Sequence, residues 1–203
     1  MKIAKSGEEL LEICKEENIS LSEYAIRYEM ENRDISREEL FEKMKKNLAV
    51  MRQSAETGME KEVFSVTGLI GGDAYKLRKY LEKGESLTGD TMIMAMAMAL
   101  SSSEVNASMG RIVACPTAGS CGILPAVILT AAKKLNKNED EIIKALFASS
   151  AVGVIIGMNA TMAGAEGGCQ AECGSAAAMG AAAVVEMMGG TPKMSLDAAA
   201  IVF

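Results

Sequence analysis

The chain has 203 residues, 49% of them apolar and only 4% aromatic, which suits one domain or two small ones with a core of Ala, Met, Ile, Leu and Val. Its net charge of −6 comes with no basic stripe, no aromatic platform for bases and no basic amphipathic helix, which argues against nucleic acid and against a membrane surface as partners. Ala and Met favour closely packed helices over sheets, so the fold class expected is all-α.

The opening MKIAKSGEELLEIC lacks the apolar stretch of a signal peptide, and the five cysteines show no regular disulfide spacing; both features point to the cytoplasm. Three helices are predicted first, each announced by an S-x-x-E pattern: Ser6 with Glu9, Ser20 with Glu23, and Ser36 with Glu39. There the hydroxyl and carboxylate can satisfy the free N–H groups of a helix start. Apolar stripes follow at Leu10, Leu11 and Cys14, at Tyr24, Ile26, Tyr28 and Met30, and at Leu40, Phe41, Met44, Leu48 and Met51. Residues 1–57 therefore read as amphipathic outer helices, and 58–203 as a more apolar helical core continuous with them in one domain.

The stretch FSVTGLIGGD, 64–73, is a short β-like run broken by glycines; its Gly-Gly-Asp turn is either a helix entry with Asp73 as N-cap or a loop pressed against a ligand. An amphipathic helix closed by Gly84 follows. Met92, Met94, Met96 and Met98 alternate with Ile and Ala as in a strand, but the unbroken Ala and Met run predicts a helix buried on all sides. In NASMGRIVACPTAGSCGILP, 106–125, an apolar run meets Pro116, then the small polar loop Thr117, Ala118, Gly119 and Ser120, then a helix opened by Cys121 and Gly122. Free N–H groups and hydroxyls at the positive end of a helix make a seat for a carboxylate; a plain capped helix entry is the competing reading.

Asn138 with Glu141 starts a helix that ends at the densest stretch of the chain. Residues 158–180, MNATMAGAEGGCQAECGSAAAMG, hold five Gly, two Cys and two Glu among small residues. Gly164, Gly167 and Gly168 permit close approach, Glu166 and Glu172 bring carboxylates into an apolar setting, and Cys169 and Cys173 lie at i, i+4 on one face if the segment is helical. A buried, glycine-bent helix start is the alternative. The apolar stretches 145–158 and 174–188 are too short or too interrupted to span a bilayer and are expected to be core helices. A last helix beginning near Ser195 and Asp197 reaches Phe203 with no polar or glycine stop, which reads as a C-terminally incomplete domain.

The motifs FSVTGLIGGDA, NASMGRIVACPTAGSCGILPAV and MNATMAGAEGGCQAECGSAAAMGAAA, in this order and spacing, resemble the α subunit of the bacterial iron-sulfur-dependent L-serine dehydratase (L-serine deaminase), two-subunit type. The resemblance covers nearly all of the chain from about residue 58 onward. It implies a helical catalytic domain with a 4Fe-4S cluster and no pyridoxal phosphate, converting L-serine to pyruvate and ammonia. It also implies a hetero-oligomer in which a β subunit carries the other domain and a histidine-containing motif. By position, Cys169 matches a cluster ligand, with the remaining cluster cysteines expected beyond Phe203. Thr117, Ala118, Gly119 and Ser120 match the loop beside the substrate, and Asn159 and Glu166 match its polar wall.

Cys115, Cys121 and Cys173 fall where the family commonly carries small residues other than cysteine, so they are not assigned as ligands. The chain contains no histidine, which leaves Glu166, or Lys61, as a base for the α proton unless a partner supplies one. The 203 residues alone are accordingly expected to be inactive. A dehydratase or desulfidase of the same superfamily acting on another small amino or hydroxy acid, and an inactive truncated subunit, are the alternatives. Zinc fits poorly, since C-x5-C and C-x3-C are not usual structural-zinc spacings.

Overall fold

The side chains of Ser6, Ser20, Ser36 and Asn138 each start a helix, as the local sequence predicts. In a computed structural model, which describes residues 1–84 and 86–203, the described residues form ten helices: α1 Gly7–Glu16, α2 Leu21–Arg33, α3 Arg37–Glu60, α4 Asp73–Leu81, α5 Asp90–Ala107, α6 Ile123–Lys134, α7 Glu139–Asn159, α8 Gly164–Gly167, α9 Cys169–Met187 and α10 Pro192–Val202. The class is all-α, as composition predicts. No strand occurs among the described residues; the β-like run 64–73 contributes only an isolated antiparallel bridge between Phe64 and Gly71.

Ser6, Ser20 and Ser36 accept from the N–H of Glu9, Glu23 and Glu39 at 3.2 Å each. The carboxylate half of the pattern differs. Glu9 reaches back past the cap to the N–H of Lys5 at 2.9 Å, while Glu23 pairs with Arg27 and Arg37 and Glu39 with Lys43. Among the described residues, only Asn138 and Glu141 complete a reciprocal capping box. For Glu23 and Glu39, a guanidinium or ammonium within reach competes successfully for the carboxylate.

Two helix starts are capped from far away in sequence. Glu186 of α9 accepts from the N–H groups of Leu21 at 2.8 Å and Ser22 at 3.2 Å. The buried Glu104 of α5 accepts from Asp73 at 2.7 Å and Ala74 at 3.2 Å. Asp73 is therefore the first residue of α4 and not its N-cap; Gly72 holds that position with φ +79°, and a carboxylate from another helix satisfies the orphan donors. Thr191 and Pro192 likewise open α10, ahead of the expected Ser195.

The core lies where α7 packs on α2 and α9, with α6 and α10 against the other sides of α9. Phe147 is its largest fully buried side chain, tilted against Phe41 with ring centroids 5.7 Å apart. Ala145, Ala148 and Ala151 of α7 and Ala178, Ala182 and Ala183 of α9 are all buried in this cluster, and their small volume brings the two backbones close. By length and composition α7 could cross a membrane, yet 56% of its most apolar window is buried inside the fold, so packing accounts for its hydropathy. The second layer joins α3, α4 and α5. Helix α5 is not buried on all sides: Ile93, Ala97 and Ser101 face inward, while Met92 and Met96 are about half exposed.

Candidate active site

The loop 117–120 is held by its own hydroxyls. Thr117 Oγ1 and Ser120 Oγ lie 3.0 Å apart, the N–H of Ser120 donates to Thr117 Oγ1 at 3.3 Å, and the N–H of Thr117 donates to Ser120 Oγ at 3.4 Å. Ser120 is buried and Thr117 half-buried. From α5, Asn106 Nδ2 donates to the carbonyl of Ala118 at 3.0 Å. Ala118 and Gly119 are exposed, and their N–H groups donate to nothing else among the described residues. What the loop offers a ligand is thus backbone N–H groups at Ala118 and Gly119, with Thr117 and Ser120 acting as the clamp that shapes it.

The loop is fixed in place by close packing beneath it. A Cβ at Gly122, the residue before α6, would overlap the carbonyl of Ala99 in α5, so only glycine lets α6 start this near to α5. Cys115 and Cys121 lie in this tight layer, and burial pushes their thiols up to about 12 and about 11. Both remain thiols near neutral pH.

The second stretch is at the surface, not in the interior, because α7 ends at Asn159 just as it emerges from the core. Asn159 is exposed, and its Nδ2 donates to the carbonyls of Ile155 at 2.8 Å and Lys5 at 2.7 Å. Thr161 Oγ1 donates to Glu166 Oε2 at 2.7 Å and accepts from the N–H of Ala163 at 3.2 Å, which folds residues 161–166 into a knuckle. Gly168, with φ +79°, then turns the chain into α9. The first turn of α9 is accessible: Cys169 is exposed, Cys173 half-buried, and their Sγ atoms are 3.7 Å apart. From Ser175 onward the helix enters the core.

Glu172 brings the two stretches together. Its carboxylate lies so close to Gly119 and to Gly164 that a Cβ at either position would overlap it. The helical spacing that puts Cys173 beside Cys169 also puts Glu172 one turn from Cys169, facing the 117–120 loop. Sequence reasoning singled out Glu172 as a carboxylate in an apolar setting but gave it no role. The structure brings Ala118, Gly119, Gly164 and Glu172 to one place, with Cys169 on the same first turn. Lys61 lies apart, at the C-cap of α3, in a groove with Thr57, Glu62, Ser108 and Arg111 that no residue of 117–120 or 161–173 lines.

A cluster fits this surface in part. Cys169 is exposed on a first turn flanked by Gly168 and Gly174, where a Cβ would meet nothing within 4 Å, so there is room for a bulky inorganic group beside its thiol. A four-iron cluster takes more thiolates than this turn provides, and no group of three or more His, Cys, Asp or Glu suited to a metal occurs among the described residues.

The model of the serine dehydratase alpha chain family matches residues 16–203. The chain is 46% identical to the "Probable L-serine dehydratase, alpha chain" of Bacillus subtilis (strain 168), covering 97% of this chain and 65% of that one. It is 43% identical to the "L-serine dehydratase, alpha chain" of Peptoniphilus asaccharolyticus over 97% of this chain and 67% of the relative. Against "L-serine dehydratase TdcG" of Escherichia coli (strain K12) it is 35% identical and covers 44% of the relative's length. The chain thus spans about two thirds of the α-chain relatives and under half of the longer one. With the glycine-lined carboxylate, the 117–120 loop and the accessible cysteine all lying within the matched residues, the chain belongs to the serine dehydratase alpha chain family.

Proposed function

We propose that this chain supplies the amino-acid-binding face of an L-serine ammonia-lyase that converts L-serine to pyruvate and ammonia. The observation that carries the reading is the pairing of unlike groups in one small space: the free N–H groups of Ala118 and Gly119 beside the Glu172 carboxylate. Backbone donors suit a carboxylate and a carboxylate suits an ammonium, so a small zwitterion is matched at both ends. A hydroxy acid would leave Glu172 without a cationic partner, which favours an amino acid.

Within this reading Thr117, Ser120 and Asn106 hold the loop's backbone in position, and Asn159 fixes the end of α7 that leads into the 161–166 knuckle. Glu166, which accepts from Thr161 at 2.7 Å through one oxygen and is exposed, is the base assigned to the α proton. Cys169 would hold one iron of a 4Fe-4S cluster, with the other ligands coming from outside the described residues. When bound, an iron of such a cluster left without cysteine supplies a Lewis acid for the serine hydroxyl. Loss of the α proton and the hydroxyl leaves aminoacrylate, which hydrolyses to pyruvate and ammonia.

A serine dehydratase β chain is the proposed partner and the cytoplasm the proposed compartment, consistent with free thiols at all five cysteines. The test is to assemble the chain with a β chain under nitrogen, load iron and sulfide, and follow product from L-serine, L-threonine and L-cysteine. Pyruvate formed fastest from L-serine is the expected result. Faster release of sulfide from L-cysteine would make the protein a desulfidase, and no turnover of any of the three would overturn the reading.

A further inference from the structure

Five cysteines divide by environment. Cys14, Cys115 and Cys121 are buried, and their Sγ atoms donate to carbonyls: Cys14 to Ser20 at 3.9 Å, Cys115 to Val113 at 3.4 Å and Cys121 at 3.6 Å, and Cys121 to Ser102 at 3.7 Å. Cys169 and Cys173 instead touch each other at 3.7 Å, on the accessible first turn of α9. We propose that Cys169 and Cys173 form a redox-modification site, a dithiol that closes to an intrachain disulfide when it meets a small disulfide such as oxidised glutathione.

Closure asks for a modest movement. Cβ atoms four apart on a helix lie about 5–6 Å from each other, against about 3.5–4.5 Å in a disulfide, so the turn has to give by an ångström or two. This turn can give. Cys169 is the first residue of α9, where N–H groups have no partner inside the helix. It follows Gly168, whose φ is +79°, with nothing within 4 Å of the position a Cβ would take. Gly174, next to Cys173, is equally uncrowded.

The exposed Cys169 is met first. Its thiolate attacks one sulfur of oxidised glutathione, releasing one glutathione thiolate and leaving a mixed disulfide on Cys169. The thiolate of Cys173 then attacks the Cys169 sulfur, forming the Cys169–Cys173 bond and releasing the second glutathione. The chain loses two protons and two electrons, and the two glutathione molecules gain them. Cys173 resolves the adduct rapidly because its sulfur is already in contact and acts at high effective concentration. The oxidised pair withholds Cys169 from any metal and shields it from irreversible oxidation. This pair needs no turnover of serine, so its failure and the failure of the proposed activity are separable.

The experiment treats the metal-free 203-residue chain with oxidised glutathione, quenches with an alkylating agent and maps it by mass spectrometry. Tryptic peptide 145–193 contains Cys169 and Cys173 and no other cysteine. Expected is that peptide lighter by two hydrogens, unalkylated, and restored by dithiothreitol, while Cys14, Cys115 and Cys121 stay reduced. In Cys173→Ser a glutathione adduct should persist on Cys169 roughly tenfold longer or more than in the unsubstituted chain. A lasting glutathione adduct on Cys169 with Cys173 still alkylated, a cross-link between chains, or no reaction at all would each overturn the proposal. The peptide map of the unsubstituted chain decides the matter even if a substituted chain fails to fold.

Discussion

The two cysteine-bearing stretches, 115–122 and 164–173, have similar compositions and opposite environments. In the first, Cys115 and Cys121 are buried and Gly122 is pressed against the carbonyl of Ala99, so its glycine and thiols build a platform. In the second, Cys169 is exposed and Gly168 borders empty space, so glycine there leaves room. Small residues and cysteines therefore do not identify a site by themselves. What separates scaffold from site is whether the space that glycine leaves is filled by the protein's own backbone or remains open to a ligand.

The sharpest way to break this contrast is to exchange thiols for hydroxyls. Cys169→Ser should abolish retention of iron and sulfide in the anaerobically assembled protein, whereas Cys14→Ser should leave it intact, as read from visible absorbance and bound iron. Equal retention in both variants would remove Cys169 from the proposed ligand set.

Glycine replacement comes next. Gly122→Ala sets a methyl against backbone that has no rotamer to move and should cost about 3 kcal/mol of stability. Gly119→Ala meets only the end of the Glu172 side chain, which can swing away, and should cost under about 1 kcal/mol. Denaturant unfolding of the two variants checks the ranking, which an equal loss would contradict.

Proton linkage gives a further test of the platform. Because the folded Cys115 thiol titrates near 12 against an ordinary 9.0, the unfolded chain gives up this proton first as pH rises. The contribution is fully present below about pH 9 and is lost as pH rises towards about 12, by about 1.4 kcal/mol per pH unit at most. Cys115→Ala should flatten that decline in unfolding experiments carried out across the range. Ser120→Ala should cost about 1 kcal/mol of stability from the loss of loop hydrogen bonds.

Local chemistry was legible in the sequence and distant chemistry was not. The starts at Ser6, Ser20, Ser36 and Asn138 depend on residues three apart, so their pattern identified them. The caps supplied by Glu104 to α4 and by Glu186 to α2 cross from other helices, and nothing near Asp73 or Leu21 announces them. The alternation of Cys169 and Cys173 on one face followed from helical spacing alone. That this face is exposed did not, because it depends on where α7 leaves the core. The role of Glu172 was hidden for the same reason, since Gly119 and Gly164 reach it only through the packing of α5, α6 and α9. Lys61 shows the converse: a residue chosen for its chemistry is placed by the end of α3 in another groove.

The central claim is that Glu172, seated between Gly119 and Gly164, receives the ammonium group of an amino-acid substrate. The measurement that tests it most directly is the KM for L-serine of the anaerobically assembled enzyme carrying Glu172→Gln, which keeps the shape between the two glycines and removes the charge. A rise in KM of roughly 10- to 100-fold, corresponding to about 1.5–3 kcal/mol for a charged hydrogen bond, with folding and iron content unchanged, is the expected result. An unaltered KM for L-serine would contradict the claim.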